Sequence, residues 1–428
     1  MMAQNENINK YLRDDTIFTK INRQFISMDP DDMKHNNAIL IQIFENLIDA
    51  MRQQSPLFCE TFQRIVWAGS YYKGTRFGQP EEYDLNFVIN LFKIFKERDI
   101  KFSTDRPGFI KIRTVWRNGN STNNLKLDSK ACRELNSFID KVDEVNEEYL
   151  NQEKFRNWME KIVNKAINAI GENNRIQFDG CVLEKSKKSG PAFTLTFQLL
   201  GSGKIIDVDV VPVLAFSTRI LPPRCSKMNI LESCVILNRC WFVVPKPLNN
   251  RQSEFGNFCH RYWRLCFYEF EKDLLSDHDY QGMKPVIRQL KKLRTSQKWK
   301  SVASYYLETL CYHEKERFHK SHSNSYTFLF FTMLEKLHEA FQNGYIRYYW
   351  DDDHNLLENI GFYEMRNMEN RLNKVLKNIR KTIKNDKYAI AKCVLDMDEL
   401  ITLKRLENVS IPEPEPEFDP EICKYYTS

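Results

Sequence analysis

The sequence predicts an α+β protein in two lobes: a mixed or antiparallel sheet braced by long N-terminal helices, then a lobe built of helices. Three observations carry that reading. Apolar residues from Met33 to Met51 recur at three- and four-residue steps, as one buried face of an α-helix requires. Five later segments alternate apolar and polar residues with period two, the pattern of half-buried strands. After Pro222-Pro223 the period returns to that of a helix and is expected to hold to about Leu406. The expected divisions are 1–220 for the sheet lobe with its spine helices, 221–406 for the helical lobe and 407–428 for a tail.

In chain order, a first helical stretch is expected over about Asn7 to Ser27. The long helix follows Asp29-Pro30-Asp31-Asp32, which reads as an N-cap and an acidic first turn. Strands are expected at Phe62–Ala68, Tyr83–Leu91, Ile176–Leu183, Phe193–Leu200 and Ile205–Phe216. Leu200-Gly201-Ser202-Gly203-Lys204 separates the last two, so they should form an antiparallel hairpin. In the tail, Ile411-Pro412-Glu413-Pro414-Glu415-Pro416-Glu417 alternates proline with acid and has little to bury, which predicts an extended, disordered segment. A cleft between the lobes is the default place for a ligand.

Composition narrows the class. With 42% hydrophobic and 28% charged residues, and only 14 Gly and 15 Pro in 428, the chain is neither collagen-like nor of low complexity. It contains no apolar run of membrane-spanning length and opens without a signal-like apolar stretch, so a cytoplasmic protein with no membrane association is expected. Eleven scattered cysteines, an odd number, suit free thiols in a reducing compartment. Cys234/Cys240 and Cys259/Cys266 are spaced too widely for a zinc knuckle and are expected to be buried thiols. Lys and Arg number 63 against 57 Asp and Glu, a formal charge of +6. Residues 407–428 hold six acids against Lys424 alone, which leaves the first 406 residues at +11. A basic body is compatible with a polyanionic partner.

The residues that carry chemistry lie around the first strands. Gly69-Ser70 follows a strand and opens a short polar turn, and Glu82-Tyr83-Asp84 heads the next strand. Residues i and i+2 on a strand share a face, so Glu82 and Asp84 point the same way and suit a hard divalent cation. Lys204-Ile205-Ile206-Asp207-Val208-Asp209-Val210-Val211-Pro212 sets two more acids among β-branched residues that have no use for charge. Spacing alone does not choose between Asp207 and Asp209. Three carboxylates with one Gly-Ser turn make a two-metal phosphoryl-transfer site, in which the turn holds a triphosphate. Taken in order, these features match the nucleotidyltransferase pattern.

Further motifs extend the match. Gly69 to Thr75, Glu82 to Phe87, Asp207 to Pro212, Trp241 to Pro247, Tyr262 to Leu265 with Phe270 to Lys272, Leu290 to Leu293 and Ser304 to Thr309 occur in one order over about residues 60–315. In this the chain resembles the cyclic GMP-AMP synthase-like receptors of animals. The resemblance implies a bilobal nucleotidyltransferase fold with Glu82, Asp84 and Asp209 as ligands of Mg²⁺ or Mn²⁺, Asp209 being the acid of the family's Val-Asp-Val-Val-Pro. It further implies that Gly69 and Ser70 meet a nucleotide phosphate, and that Arg264, Tyr268 and Glu271 lie along a purine-binding helix. Lys291 would reach a triphosphate, and Ser304 with the ring of Tyr305 would hold the other nucleotide.

The same resemblance implies synthesis of cyclic GMP-AMP from ATP and GTP, activation by double-stranded RNA, and a product that acts on a STING-type receptor in antiviral immunity. The interval Asp273–Pro285 has one His and no Cys, so no zinc thumb is expected, as in the insect-type members. Two departures stand out: Ala68 in place of a hydroxyl residue before Gly-Ser, and Glu308 in place of a basic residue near Ser-Tyr. Basic stretches suited to duplex RNA are Lys10, Arg13, Lys20 and Arg23; residues 91–130; the expected loop Glu184–Lys188; and the stripe Arg371, Lys374, Lys377, Lys381 and Lys384. Two other readings of the fold are a catalytically silent binding protein and a linear oligoadenylate-type synthase.

Overall fold

A computed structural model describes residues 8–28, 30–79, 81–114, 127–142, 147–171, 176–178, 180–233, 238–246 and 258–406. The tail and Asp29 lie outside them. Among the described residues, 30–72 and 81–271 form a sheet unit, and 8–28, 73–79 and 272–406 form a helical unit.

Among the described residues, twelve strands make one sheet: β1 (Phe62–Ala68), β2 (Glu82–Ile89), β3 (Ile100–Ser103), β4 (Phe109–Thr114), β5 (Ile139–Val142), β6 (Glu147–Leu150), β7 (Ile176–Phe178), β8 (Cys181–Ser189), β9 (Ala192–Leu199), β10 (Ile205–Ser217), β11 (Cys240–Val244) and β12 (Tyr262–Cys266). The main path runs β5-β6-β4-β12-β11-β10-β9-β8-β7, with β2 pairing both β1 and β10. Strand β10 is the hinge of this order. Its first half lies between β2, in parallel register, and β9, antiparallel, and its last residues pair with β11. The expected hairpin through Gly201 and Gly203 is therefore formed.

Helices run, in chain order, α1 (Thr16–Phe25), α2 (Pro30–Gln54), α3 (Pro56–Thr61), α4 (Gly69–Tyr72), α5 (Ser129–Asn136), α6 (Gln152–Ile170), α7 (Met228–Ser233), α8 (Tyr268–Ser276), α9 (Met283–Ser296), α10 (Ser304–His313), α11 (Tyr326–Asn343), α12 (Phe362–Thr382), α13 (Ala391–Val394) and α14 (Met397–Arg405). The apolar stripe of α2 is buried as its spacing requires: Leu40, Ile43, Phe44, Leu47 and Met51. Phe44 meets Phe87 of β2 and Phe197 of β9 edge-on, at 6.0 and 6.5 Å between ring centroids. Burying each such side chain contributes roughly 1.5–3 kcal/mol. This helix thus covers the sheet face that carries Tyr83, Leu85, Phe87, Val208 and Val210, leaving the alternate residues of β2 and β10 for the other face.

In the helical unit, Phe18 of α1 stacks on Tyr326 at 5.5 Å, and Trp299 meets Phe341 edge-on at 5.3 Å. The Asp15 carboxylate accepts from the Tyr326 and Thr327 amides, which caps α11 from another part of the chain. The first helical stretch is accordingly shorter than expected. Asp14 accepts from the Thr16 amide and a fresh helix begins there.

Several expectations need correction. The chain after Pro222-Pro223 is not helical throughout, because β11 and β12 lie within it. Trp241, Phe242 and Val243 are buried on both faces and show no period-two alternation, so they carry no strand signal by patterning. Ile176–Leu183 is not one strand but β7, a turn at Gly180 with φ +86°, and the start of β8. Glu184–Lys188 is not a loop: it continues β8, paired with β9. Residues 91–130 hold β3 and β4, where Ile110 and Ile112 face the core and Lys111 and Arg113 alternate outward. Lys111 pairs with Asp105 at 2.6 Å and Arg113 pairs with Glu147. Finally, Cys240, Cys259 and Cys266 are half-buried, and Cys234 lies outside the described residues. No helix among the described residues is long and apolar enough to cross a membrane.

Candidate functional site

The sheet face opposite α2 gathers the predicted acids. In the parallel register of β2 and β10, Asp209 stands opposite Asp84 and Asp207 opposite Glu82. On the far edge of β10, Thr194 and Thr196 of β9 take the same two positions, and their hydroxyls donate to Asp209 Oδ1 and Asp207 Oδ1, each at 2.6 Å. One oxygen of each aspartate is thereby oriented by its neighbour strand.

Gly69 begins α4 directly after β1, and β1 pairs antiparallel with β2 so that Ala68 stands opposite Asp84. Its φ is +72°, and a Cβ built on it would lie 1.8 Å from Asp84 Oδ2. Only glycine lets the backbone come this near the carboxylate. Ser70 follows, half-buried at the first turn, and Tyr71 and Tyr72 anchor that turn by donating to Asn37 of α2.

Farther along the same face the polar residues give way to an apolar patch of Val88, Val213, Ala215, Phe242 and Tyr268. Tyr268 is buried there, and its hydroxyl donates to the Trp67 carbonyl at 2.7 Å. Arg264 is not on the helix with Tyr268 and Glu271 as expected. It sits on β12, because Tyr262, Trp263 and Leu265 bury as strand residues. Its register with Val244, and through Phe242 with Ala215, puts it on the carboxylate face. Glu271 is buried on α8. The neighbouring Glu269 accepts from Arg64 at 2.5 Å and from the Cys240 amide at 2.9 Å, tying α8 to β1 and β11.

Lys246, two residues beyond β11, was given no role by its spacing. The Arg264 guanidinium, and then desolvation, pull its ammonium from the usual lysine range down to about 8. Because Lys246 is exposed, the guanidinium carries the greater weight. Two cations drawn together at one place suit a polyphosphate.

In the helical unit, Ser304 opens α10 and Tyr305 follows, both half-buried. The Tyr305 ring carries the Lys73 ammonium 5.5 Å from its centroid. Lys291 is only 2% exposed and donates to Glu308 at 2.5 Å and to Thr75 at 3.0 Å. Glu308 also accepts from Lys73 at 3.1 Å, the Thr75 hydroxyl at 3.0 Å and the Tyr312 hydroxyl at 3.1 Å. Burial alone would raise the Glu308 carboxyl, but the charges of Lys291 and Lys73 and their hydrogen bonds hold it well below the usual carboxylate range.

Of the basic stretches, Lys10 shares a groove with Lys384 and Lys387, also lined by Tyr11 and Tyr388. Arg13 and Arg23 are exposed and Lys20 is half-buried. Arg371, Lys374, Lys377 and Lys381 are exposed along α12.

No three His, Cys, Asp or Glu side chains among the described residues stand close enough together to hold an ion as they are placed. The donor set nonetheless fits a hard cation in kind. It consists of carboxylate oxygens on adjacent strand positions of one face, beside a cradle at Gly69 that a Cβ would fill.

Residues 71–277 match the Mab-21 protein nucleotidyltransferase domain, and residues 282–374 match the Mab-21 protein HhH/H2TH-like domain. The chain is 34% identical to a cyclic GMP-AMP synthase-like receptor of Microplitis demolitor over 98% of its own length and 75% of that protein's. It is 30% identical to one from Aethina tumida over 95% and 97%. With the cyclic GMP-AMP synthase of Sus scrofa it shares 24% identity over 50% of its length and 37% of that protein's.

Proposed function

The chain belongs to the Mab-21 nucleotidyltransferase family, among the cyclic GMP-AMP synthase-like receptors, and from that premise we propose that it joins ATP and GTP into cyclic GMP-AMP. The observation that carries the reading is the close approach of Gly69 to Asp84, with Asp209 as Asp84's cross-strand partner. Glu82, Asp84 and Asp209 would hold Mg²⁺ or Mn²⁺. A divalent cation bound there activates the attacking hydroxyl and neutralises the leaving pyrophosphate.

The protein's own groups do the rest by position and charge. Gly69 and Ser70 hold the triphosphate beside the carboxylates, and Arg264 with Lys246 balances further phosphate charge. Tyr268 and Glu271 contact a purine, and Ser304 with Tyr305 contact the other nucleotide. Duplex RNA is the activator, recognised through its phosphates and shape by the Lys10, Lys384 and Lys387 groove with Arg13, Lys20 and Arg23. The product signals through a STING-type receptor, in the cytoplasm.

The test is incubation of purified full-length chain with labelled ATP and GTP, with Mg²⁺ or Mn²⁺, with and without long duplex RNA or DNA, beside Asp209→Ala. A nuclease-resistant cyclic product that requires RNA and vanishes in the variant is expected. A linear polymer from ATP alone would assign a linear synthase instead, and no product with any nucleic acid from folded protein would assign a silent binding protein.

A further inference from the structure

We propose that Glu308 is a positioning residue: by holding the segment that follows the Gly-Ser turn, its carboxylate fixes where Gly69 and Ser70 are presented. The inference rests on the reading of that turn as a phosphate holder. Segment 73–79 belongs to the helical unit although the chain on both sides of it belongs to the sheet unit. Its first residue is bonded covalently to Tyr72, the last residue of α4.

The segment is held at several points. Lys73 and Thr75 both donate to Glu308. Arg288 of α9 donates to the Gly74 carbonyl at 3.3 Å, and the Gly78 amide donates to the Ile26 carbonyl at 3.4 Å. Gly74 has φ +69°, and a Cβ there would press to 3.3 Å on the Lys284 side chain. Glu308 is the centre of this arrangement. Its two oxygens accept four hydrogen bonds, and it is 3% exposed, Lys73 6% and Thr75 0%.

Burial pulls the Lys291 ammonium below the usual lysine range and Glu308 opposes that pull, while Lys73, Thr75 and Tyr312 bring only donors to the carboxylate, so none of these partners can replace the acid. Lys291 completes the Glu308 cluster and acts on the turn through Thr75. The acid at position 308 is matched by Lys73, which places the complementary charge on the segment it holds.

The experiment compares full-length wild type, Glu308→Gln and Glu308→Asp by limited tryptic digestion well below each protein's own Tm. Cleavage after Arg76 is quantified by mass spectrometry, and KM and kcat for ATP are measured in parallel. In Glu308→Gln, cutting after Arg76 should quicken about tenfold while cuts elsewhere keep their rates, as local opening of one segment predicts. KM for ATP should rise more than kcat falls, and Glu308→Asp should restore both readouts most of the way.

Unchanged cutting after Arg76 in Glu308→Gln overturns the proposal, as does product formation that becomes independent of nucleic acid. If Glu308→Gln does not fold, Thr75→Val removes one hydrogen bond of the cluster while keeping its charges, and the same readouts decide. Should wild type make no product at all, the catalytic reading fails while the digestion still judges Glu308.

Discussion

At Gly69 the backbone and a carboxylate leave no room for a side chain. A Cβ would overlap Asp84 Oδ2 at 1.8 Å, and φ +72° is itself unfavourable for any other residue. Gly69→Ala should therefore displace Asp84 or the turn. The φ alone costs about 1–2 kcal/mol, and a misplacement of order 1 Å costs about a hundredfold in turnover. Thermal unfolding and initial rates measure both, and near-wild-type activity would show that the turn and Asp84 do not act together.

Lys246 gives a pH test at the same scale. Its ammonium, pulled down to about 8 chiefly by Arg264, is charged below that value and neutral above it. ATP binding measured across roughly one pH unit either side should weaken as pH rises, and Lys246→Met should flatten that dependence while lowering affinity on the acid side. A pH profile that is the same in the variant would remove Lys246 from the site. Both residues were partly legible. Gly-Ser stood out as a turn, but nothing in the sequence measures the approach to Asp84. Lys246 lies in the Trp241–Pro247 run, whose significance depends on a strand partner, Arg264, that the resemblance places on a helix.

Among the elements, β10 bears on the choice between Asp207 and Asp209. Asp207 and Asp209 share a face and each accepts a threonine hydroxyl, so local chemistry does not separate them. Register does: Asp209 is opposite Asp84, the acid against Gly69, whereas Asp207 is opposite Glu82 at the exposed start of β2. Asp209→Asn should cost at least about a hundredfold in rate and Asp207→Asn about tenfold or less, the scale of a group that shapes the field without touching the reacting atoms. Equal losses in initial rate would mean that both acids serve.

The legibility of each strand follows from its burial. β1, β2, β9 and β10 are legible because they alternate over the stretches where one face is apolar and the other polar. β11 is buried on both faces and so lacks alternation, whereas β4 alternates Ile110 and Ile112 inward with Lys111 and Arg113 outward in a short run that reads first as a basic stretch. Cross-strand partners such as Thr194 and Asp209 become visible only with the register.

For the molecule as a whole, charge is the property that sequence states outright. The formal +6 of the chain combines +11 over residues 1–406 with an acidic remainder. Removing residues 407–428 should thus strengthen binding to duplex RNA, since the net field toward a polyanion nearly doubles. The gain should be largest at low salt and fade as the Debye length shrinks to about 8 Å near physiological ionic strength.

In the truncated chain, Lys10→Glu, Lys384→Glu and Lys387→Glu together should flatten the plot of log affinity against log salt by about 0.7–0.9 for each phosphate no longer neutralised. The same reversals on the exposed face of α12, at Lys374, Lys377 and Lys381, change net charge equally but lie outside that groove. Fluorescence anisotropy with labelled duplex RNA over a salt series distinguishes the cases. Slopes that fall equally for both sets would mean that the body attracts RNA only through its total charge. A fall confined to the first set would mean that the groove between the N-terminal residues and the end of α12 is where the duplex is held.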